Sequence, residues 1–205
     1  NTGVTGGRNA GFEHASGDFV LFFDHDMVAD PAMAGALLAA AQSDPAVGIV
    51  TGKIYYAGDR NRIWAAGTGI DLRTGRVLFR GGPDAGQYER QEEVPVAPAM
   101  MLVTRAAMEA TGGFDDLFFA NWEDADFCFR ARAAGFKTLY TPAAVAYHHL
   151  TTDHGESMRR LLARAYYVGR NRVLFMKRHA PRFAPFAWRL PLYVAYYAGQ
   201  AVRWG

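Results

Sequence analysis

The chain has 205 residues, half of them hydrophobic and 20% charged, a balance that suits a globular domain with a real core and excludes a disordered or low-complexity segment. Its net charge of +2 hides an uneven distribution, because ten Lys and Arg and no acid follow Glu156, while the residues up to that point carry twelve basic against twenty acidic side chains, a net −8. A single cysteine, Cys128, excludes an internal disulfide and a cysteine-based metal site, and its place on a helical pattern points to a small buried side chain in a reducing compartment. The chain begins at Asn1 with no apolar leader and reaches a core-like strand within about twenty residues, so it reads as a fragment.

The apolar run Phe19–Phe23 has no polar alternation, which predicts an interior strand of a parallel sheet covered on both faces. It stops on Asp24, His25 and Asp26, at the carboxyl end of a strand, where open α/β sheets bind ligands. Residues two apart in an extended chain project to the same side, so Asp24 and Asp26 face one site and His25 points elsewhere. Two carboxylates so close are explained either by a cation between them or by ordinary turn chemistry beyond a strand end. Asp30 followed by Pro31 marks a helix start, and the alanine-rich stretch to Gln42 continues it.

Residues 47–52, "VGIVTG", predict a second buried strand. Residues 53–82 lack helical periodicity and contain "IDLRTGRVLF", a hairpin turning at Thr74 and Gly75. Residues 98–104 predict another buried strand, followed by a brief helix that closes at Gly112 and Gly113. In "FDDLFFANWEDADFCFRARAAGF", Asn121 is placed to cap a helix running from near Trp122 to Gly135, with Glu123, Asp124 and Asp126 in its first turn. The helix dipole favours acids there in any protein, but it also keeps Asp124 ionised, as a general base requires. Strands at 136–140 and 145–147 follow, and the second runs into His148 and His149, which read either as a satisfied polar pair or as a metal ligand.

Two helices, about 156–179 and 184–204, are parted at Pro181 and finish the chain. Their basic charge points to an anionic surface, with a solvated basic face as the plain alternative. Their many tyrosines and tryptophans favour a membrane surface over nucleic acid, and the run 190–202 is too short to span a bilayer.

The segments "NTGVTGGRNAGFEHASGDFVLFFDHD", "TGGFDDLFFANWEDADFCFRARAAGF" and "AVAYHH", in that order, resemble the family 2 glycosyltransferases of the GT-A fold, especially bacterial rhamnosyl- and galactofuranosyltransferase-like members. The resemblance covers nearly the whole chain. It implies an α/β fold, a GT-A-like (Rossmann-like) mixed sheet flanked by helices, without the first βαβ portion that grips the nucleotide base. Residues 1–155 would form the catalytic domain and 156–205 the basic, aromatic-rich helices.

The implied activity is inverting transfer of a sugar from a nucleoside-diphosphate donor to a hydroxyl of a glycan or lipid-linked acceptor, with Mn²⁺ or Mg²⁺ as cofactor. A non-catalytic carbohydrate-binding fragment is the alternative. On this resemblance Asp26 ligates the metal, Asp24 contacts the donor or the metal, and His148 completes the metal site with His149 one place away. Asp124 is the base, Glu123 and Trp122 line the acceptor sugar, and Arg8 and Asn9 lie near the donor. The implied setting is cytoplasmic, peripheral on the inner face of the membrane, with no nucleic-acid partner.

Overall fold

The computed structural model describes residues 1–150 and 153–204. Helix α1 (Gly3–His14) opens the chain, and strand β1 (Phe19–Phe23) leads through an acidic turn into the short β2 (Met27–Ala29) and helix α2 (Met33–Ala41). Then come β3 (Val47–Tyr56), β4 (Asp59–Ala66), the hairpin β5 (Thr68–Asp71) and β6 (Arg76–Phe79), and the short β7 (Gly82–Pro83) and β8 (Glu92–Glu93). Strand β9 (Met100–Thr104), helix α3 (Arg105–Thr111), a 3-10 turn (Asp116–Phe118), helix α4 (Glu123–Ala133) and strand β10 (Lys137–His148) follow. The remaining helices are α5 (His154–Ala163), α6 (Ala165–His179), α7 (Ala184–Ala187) and α8 (Leu190–Trp204).

The main sheet runs β1-β9-β3-β10-β2, with β4 beside β3. β3 and β10 are parallel, whereas β9 is antiparallel to both β1 and β3. Strands β1, β3 and β10 therefore point the same way, and their carboxyl ends share one rim of a mixed sheet. Helix α2 covers one face, where Met33 and Leu37 join a core with Val50, Ile54, Met100 and Ala146. Burying each large side chain contributes roughly 1.5–3 kcal/mol.

Several elements differ from the sequence reading. β1 stands at the end of the sheet and pairs antiparallel with β9, not inside a parallel sheet, and Leu21 is 37% exposed. An apolar run reads the same whether or not its second face is covered. Helix α1 forms although four of its residues are glycine, because tertiary bonds tie its first turn: the amides of Val4 and Thr5 donate to the Phe119 carbonyl at 2.7 and 3.3 Å.

The two strands expected between 136 and 147 are one strand, β10, whose pairing with β3 shifts register between Thr141 and Val145. Helix α4 has Trp122 at its N-cap position, with φ of 71° and no side-chain capping bond, so Asn121 stands one place before the cap. The helix expected over 156–179 breaks at Arg164 into α5 and α6, and α7 and α8 together replace the last one.

The chain divides into two compact units, 1–69 with 78–150, and 70–77 with 151–205. In the second, the hairpin tip is gripped by helices: Arg172 Nε donates to the Gly75 carbonyl at 2.8 Å and the Tyr193 hydroxyl to the Thr74 carbonyl at 2.6 Å. Gly75 takes φ of +67°, as the turn requires, and an added Cβ would meet the Phe186 ring at 2.9 Å. Among the described residues no helix is long and apolar enough to cross a membrane.

Candidate active site

The carboxyl rim of the sheet collects the acids. The Asp24 amide donates to the Ala99 carbonyl, and the Met27 amide donates back to the Asp24 carbonyl, both at 3.2 Å. A tight turn therefore presents Asp24 and Asp26, where the sequence suggested an extended strand, and His25 is exposed. His148 is the last residue of β10 and is buried, with Nε2 3.1 Å from Asp26 Oδ1. His149 is exposed and meets Asp26 only through its backbone amide, at 2.8 Å from the Asp26 carbonyl. One ligand atom from each of Asp24, Asp26 and His148 lies within 4.8 Å of the others.

Burial pushes the His148 imidazole below its ordinary pKa, against the opposing pull of Asp26 and Asp24, and so favours the neutral ring. Its Nδ1 is buried without a hydrogen-bond partner, and the Trp64 ring stands nearly perpendicular to it, at 85° with centroids 4.6 Å apart.

Arg8 links this turn to the start of α4. Its guanidinium donates to Asp24 Oδ1 at 3.2 Å and to Glu123 Oε1 at 3.3 Å while lying 5.2 Å from the Phe114 ring centroid. Glu123 is buried and its second oxygen, Oε2, has no hydrogen-bond partner. Desolvation first, and the neighbouring Asp124 second, push the Glu123 carboxyl up to about 7 despite Arg8. Asp124 accepts from the Ala125 amide at 2.7 Å, yet burial still raises its carboxyl. Desolvation at Asp124 thus opposes the ionised form that its place at a helix start was expected to favour.

The remaining acid of that turn, Asp126, is fully buried and pairs with Arg130 Nε at 2.7 Å. Asn9 is held elsewhere: its amide donates to the Phe114 carbonyl and its oxygen accepts from the Phe114 amide, both at 2.8 Å, which fixes the corner beneath Arg8.

The backbone around the site is strained. Phe119, Asn121 and Trp122 all have positive φ, and so has Ala99 beside Asp24. Non-glycine residues pay for such angles and keep them only where surrounding structure insists. Here α1 insists, through the bonds to Phe119 and through Gly3, where a Cβ would lie 2.4 Å from the Phe119 carbonyl oxygen. Neither this strain nor Trp64 was visible in the residue pattern. The left-handed positions carry ordinary side chains, and Trp64 lies in a stretch that reads only as non-helical.

Residues 1–167 match the family described as "Glycosyltransferase like family 2". The pre-mycofactocin glycosyltransferase of Mycobacterium tuberculosis (strain ATCC 25618 / H37Rv) is 28% identical over 188 residues, 89% of this chain and 37% of that protein. Among solved structures, GalNAc-T7 with UDP, GalNAc and Mn²⁺ superposes with a TM-score of 0.58 at 16% identity, covering 72% of this chain and 30% of that one. A mannosyltransferase from Pyrobaculum calidifontis in complex with GDP-Man and Mn²⁺ gives 0.51 at 16% identity, covering 95% and 55%. At such identity the likeness shows the fold, the GT-A-like mixed sheet. The chain thus spans 37% of the curated relative's length.

Proposed function

This chain belongs to glycosyltransferase family 2, and from that premise we propose that it carries the catalytic part of an inverting, metal-dependent enzyme. The reaction moves a sugar from a nucleoside-diphosphate sugar to a hydroxyl of a glycan or lipid-linked acceptor. The observation that carries this reading is the Arg8 guanidinium, which joins the Asp24 carboxylate at the end of β1 to Glu123 at the start of α4. A turn rich in metal-type donors and a helix tip with a candidate base are thereby held as one site.

The donor set fits a hard divalent cation. Two carboxylates and a neutral imidazole suit Mn²⁺ or Mg²⁺, and the buried His148 is already biased to the uncharged form that ligation needs. In this reading Asp26 and His148 hold the ion and Asp24 holds the ion or the donor. When bound, such a cation supplies positive charge toward a departing diphosphate. The GalNAc-T7 and mannosyltransferase structures each contain Mn²⁺ with a nucleotide or nucleotide sugar, which supports the choice of metal.

Asp124 removes the proton from the acceptor hydroxyl, and the oxygen attacks the anomeric carbon opposite the leaving group. Its raised pKa strengthens it as a base, provided that the pH is high enough to ionise it. Glu123 and Trp122 line the acceptor side. Asn9 acts at one remove, by fixing the Phe114 backbone whose ring lies against Arg8.

The partner surface in this proposal is the cytoplasmic face of a membrane, met by the C-terminal helices. Residues 190–202 carry no charge and lie between Arg189 and Arg203. Trp188, Leu192 and Val202 project into solvent at 84, 69 and 90% exposure, which supports an interfacial face flanked by cations.

The test is a screen of nucleoside-diphosphate sugars with the intact protein, with Mn²⁺ and with chelator. We expect donor cleavage that chelation abolishes and Mn²⁺ restores, with product of inverted anomeric configuration by NMR. Turnover indifferent to chelation, or retained configuration, would refute the mechanism.

A further inference from the structure

We propose that Trp64 is the positioning residue for His148, its indole packed perpendicular against an imidazole whose second nitrogen has no hydrogen-bond partner. The inference rests on the metal reading above. An imidazole that ligates through one nitrogen normally fixes its ring by donating from the other to a carboxylate, carbonyl or water. In this chain His148 directs Nε2 to Asp26 at 3.1 Å, while Nδ1 is buried and has no such partner. Among the described residues no protein group hydrogen-bonds that second nitrogen. The neighbour in place is Trp64, perpendicular at 85° with centroids 4.6 Å apart, the arrangement in which the edge of one ring meets the π face of the other.

The backbone accounts for how the indole comes to be there. Along the β3–β4 ladder Ala65 pairs with Ile54 and Ile63 pairs with Tyr55, so two steps on β4 match one on β3 and Trp64 is the extra, bulged residue. A bulge re-aims a side chain that regular alternation would send elsewhere. Its flanking residues Ile63 and Ala65 are buried at 1 and 0% exposure, which anchors the bulge on both sides. Gly81 packs against the same backbone, where a Cβ would lie 2.7 Å from the Trp64 carbonyl oxygen. Trp64 is thus held from the main chain outward, as a wall that must orient another ring should be.

The experiment is Mn²⁺ titration of the intact protein by calorimetry for wild type, Trp64→Phe, Trp64→Leu, Trp64→Ala and His148→Ala. We expect Trp64→Phe to stay within a few-fold of wild type, and Trp64→Ala to weaken Mn²⁺ binding by roughly tenfold, as loss of an orienting partner does. Trp64→Leu separates orientation from simple space-filling, and it should also lose affinity while keeping the wild-type melting temperature. A wild type that binds Mn²⁺ through His148, alongside Trp64→Leu and Trp64→Ala variants with unchanged affinity, would overturn this inference alone. A wild type without Mn²⁺ affinity, or one indifferent to His148→Ala, would overturn the metal reading and the inference together.

Discussion

At the rim of the main sheet, polar and charged side chains are drawn inward and answered by one another: the mostly buried Arg8 lies between half-exposed Asp24 and buried Glu123, and the buried His148 against half-exposed Asp26. Along α8 the reverse arrangement holds, with Leu192, Val194 and Val202 turned to solvent while the charges are confined to Arg189 and Arg203 at its two ends. Each region breaks the ordinary rule of polar outside and apolar inside, in opposite senses. Burying charge costs stability unless the fold uses the charge, and exposing apolar surface costs solubility unless something covers it. Such local violations are where function is to be sought, so the comparison predicts chemistry for the first region and adhesion for the second.

The largest effect that sharpens this contrast belongs to Asp124. Asp124→Asn should lower turnover of the intact protein by roughly 10²–10⁴-fold, the usual worth of a general base, while leaving Mn²⁺ affinity unchanged. Near-normal turnover would remove Asp124 from its role.

Next is Arg8→Met, which leaves Asp24 and Glu123 without their shared cation. Breaking the buried Arg8–Glu123 pair, whose side chains are 11 and 9% exposed, should destabilise by about 3 kcal/mol in chemical denaturation. An unchanged midpoint would show that the bridge is not structural.

Smaller is the effect on α8. Leu192→Glu with Val202→Glu should abolish co-flotation with anionic lipid vesicles yet spare soluble-acceptor turnover, and equal flotation by variant and wild type would leave the exposed face without its partner.

The smallest effect is in pH dependence. Glu123 has its carboxyl raised from 4.5 to about 7, so its contribution to stability is full below pH 4.5 and is lost as pH rises through about 7. Glu123→Gln should flatten that decline in melts taken across the window, and an identical slope would place the titrating group elsewhere.

The parts of the site legible in sequence were those in which residue type and local order suffice. Asp24 and Asp26 beyond an apolar run, Glu123 and Asp124 at a helix start, and His148 at a strand end are short-range patterns. What the sequence hid depends on distance or register. Arg8 meets Asp24 across sixteen residues and Glu123 across 115, and no periodicity announces either pairing. Trp64 owes its direction to a one-residue bulge, which depends on how two strands align rather than on either alone. β1 pairs antiparallel with β9, a partner that its apolar composition does not announce. Helix α1 was hidden by its glycines, whose low propensity is overridden by bonds to a loop more than a hundred residues away.

The irregularity in β10 bears on how the gene could change length. Its pairing with β3 is interrupted between Thr141 and Val145, and Pro142, inside the gap, has no amide to contribute to a ladder. Upstream and downstream stretches are therefore aligned independently. An extra codon among residues 142–144 would be taken up locally and leave the histidine where it is, whereas the same insertion after Ala146 would turn His148 to the opposite side of the sheet. Insertions and deletions in relatives are accordingly expected in the first place and not in the second.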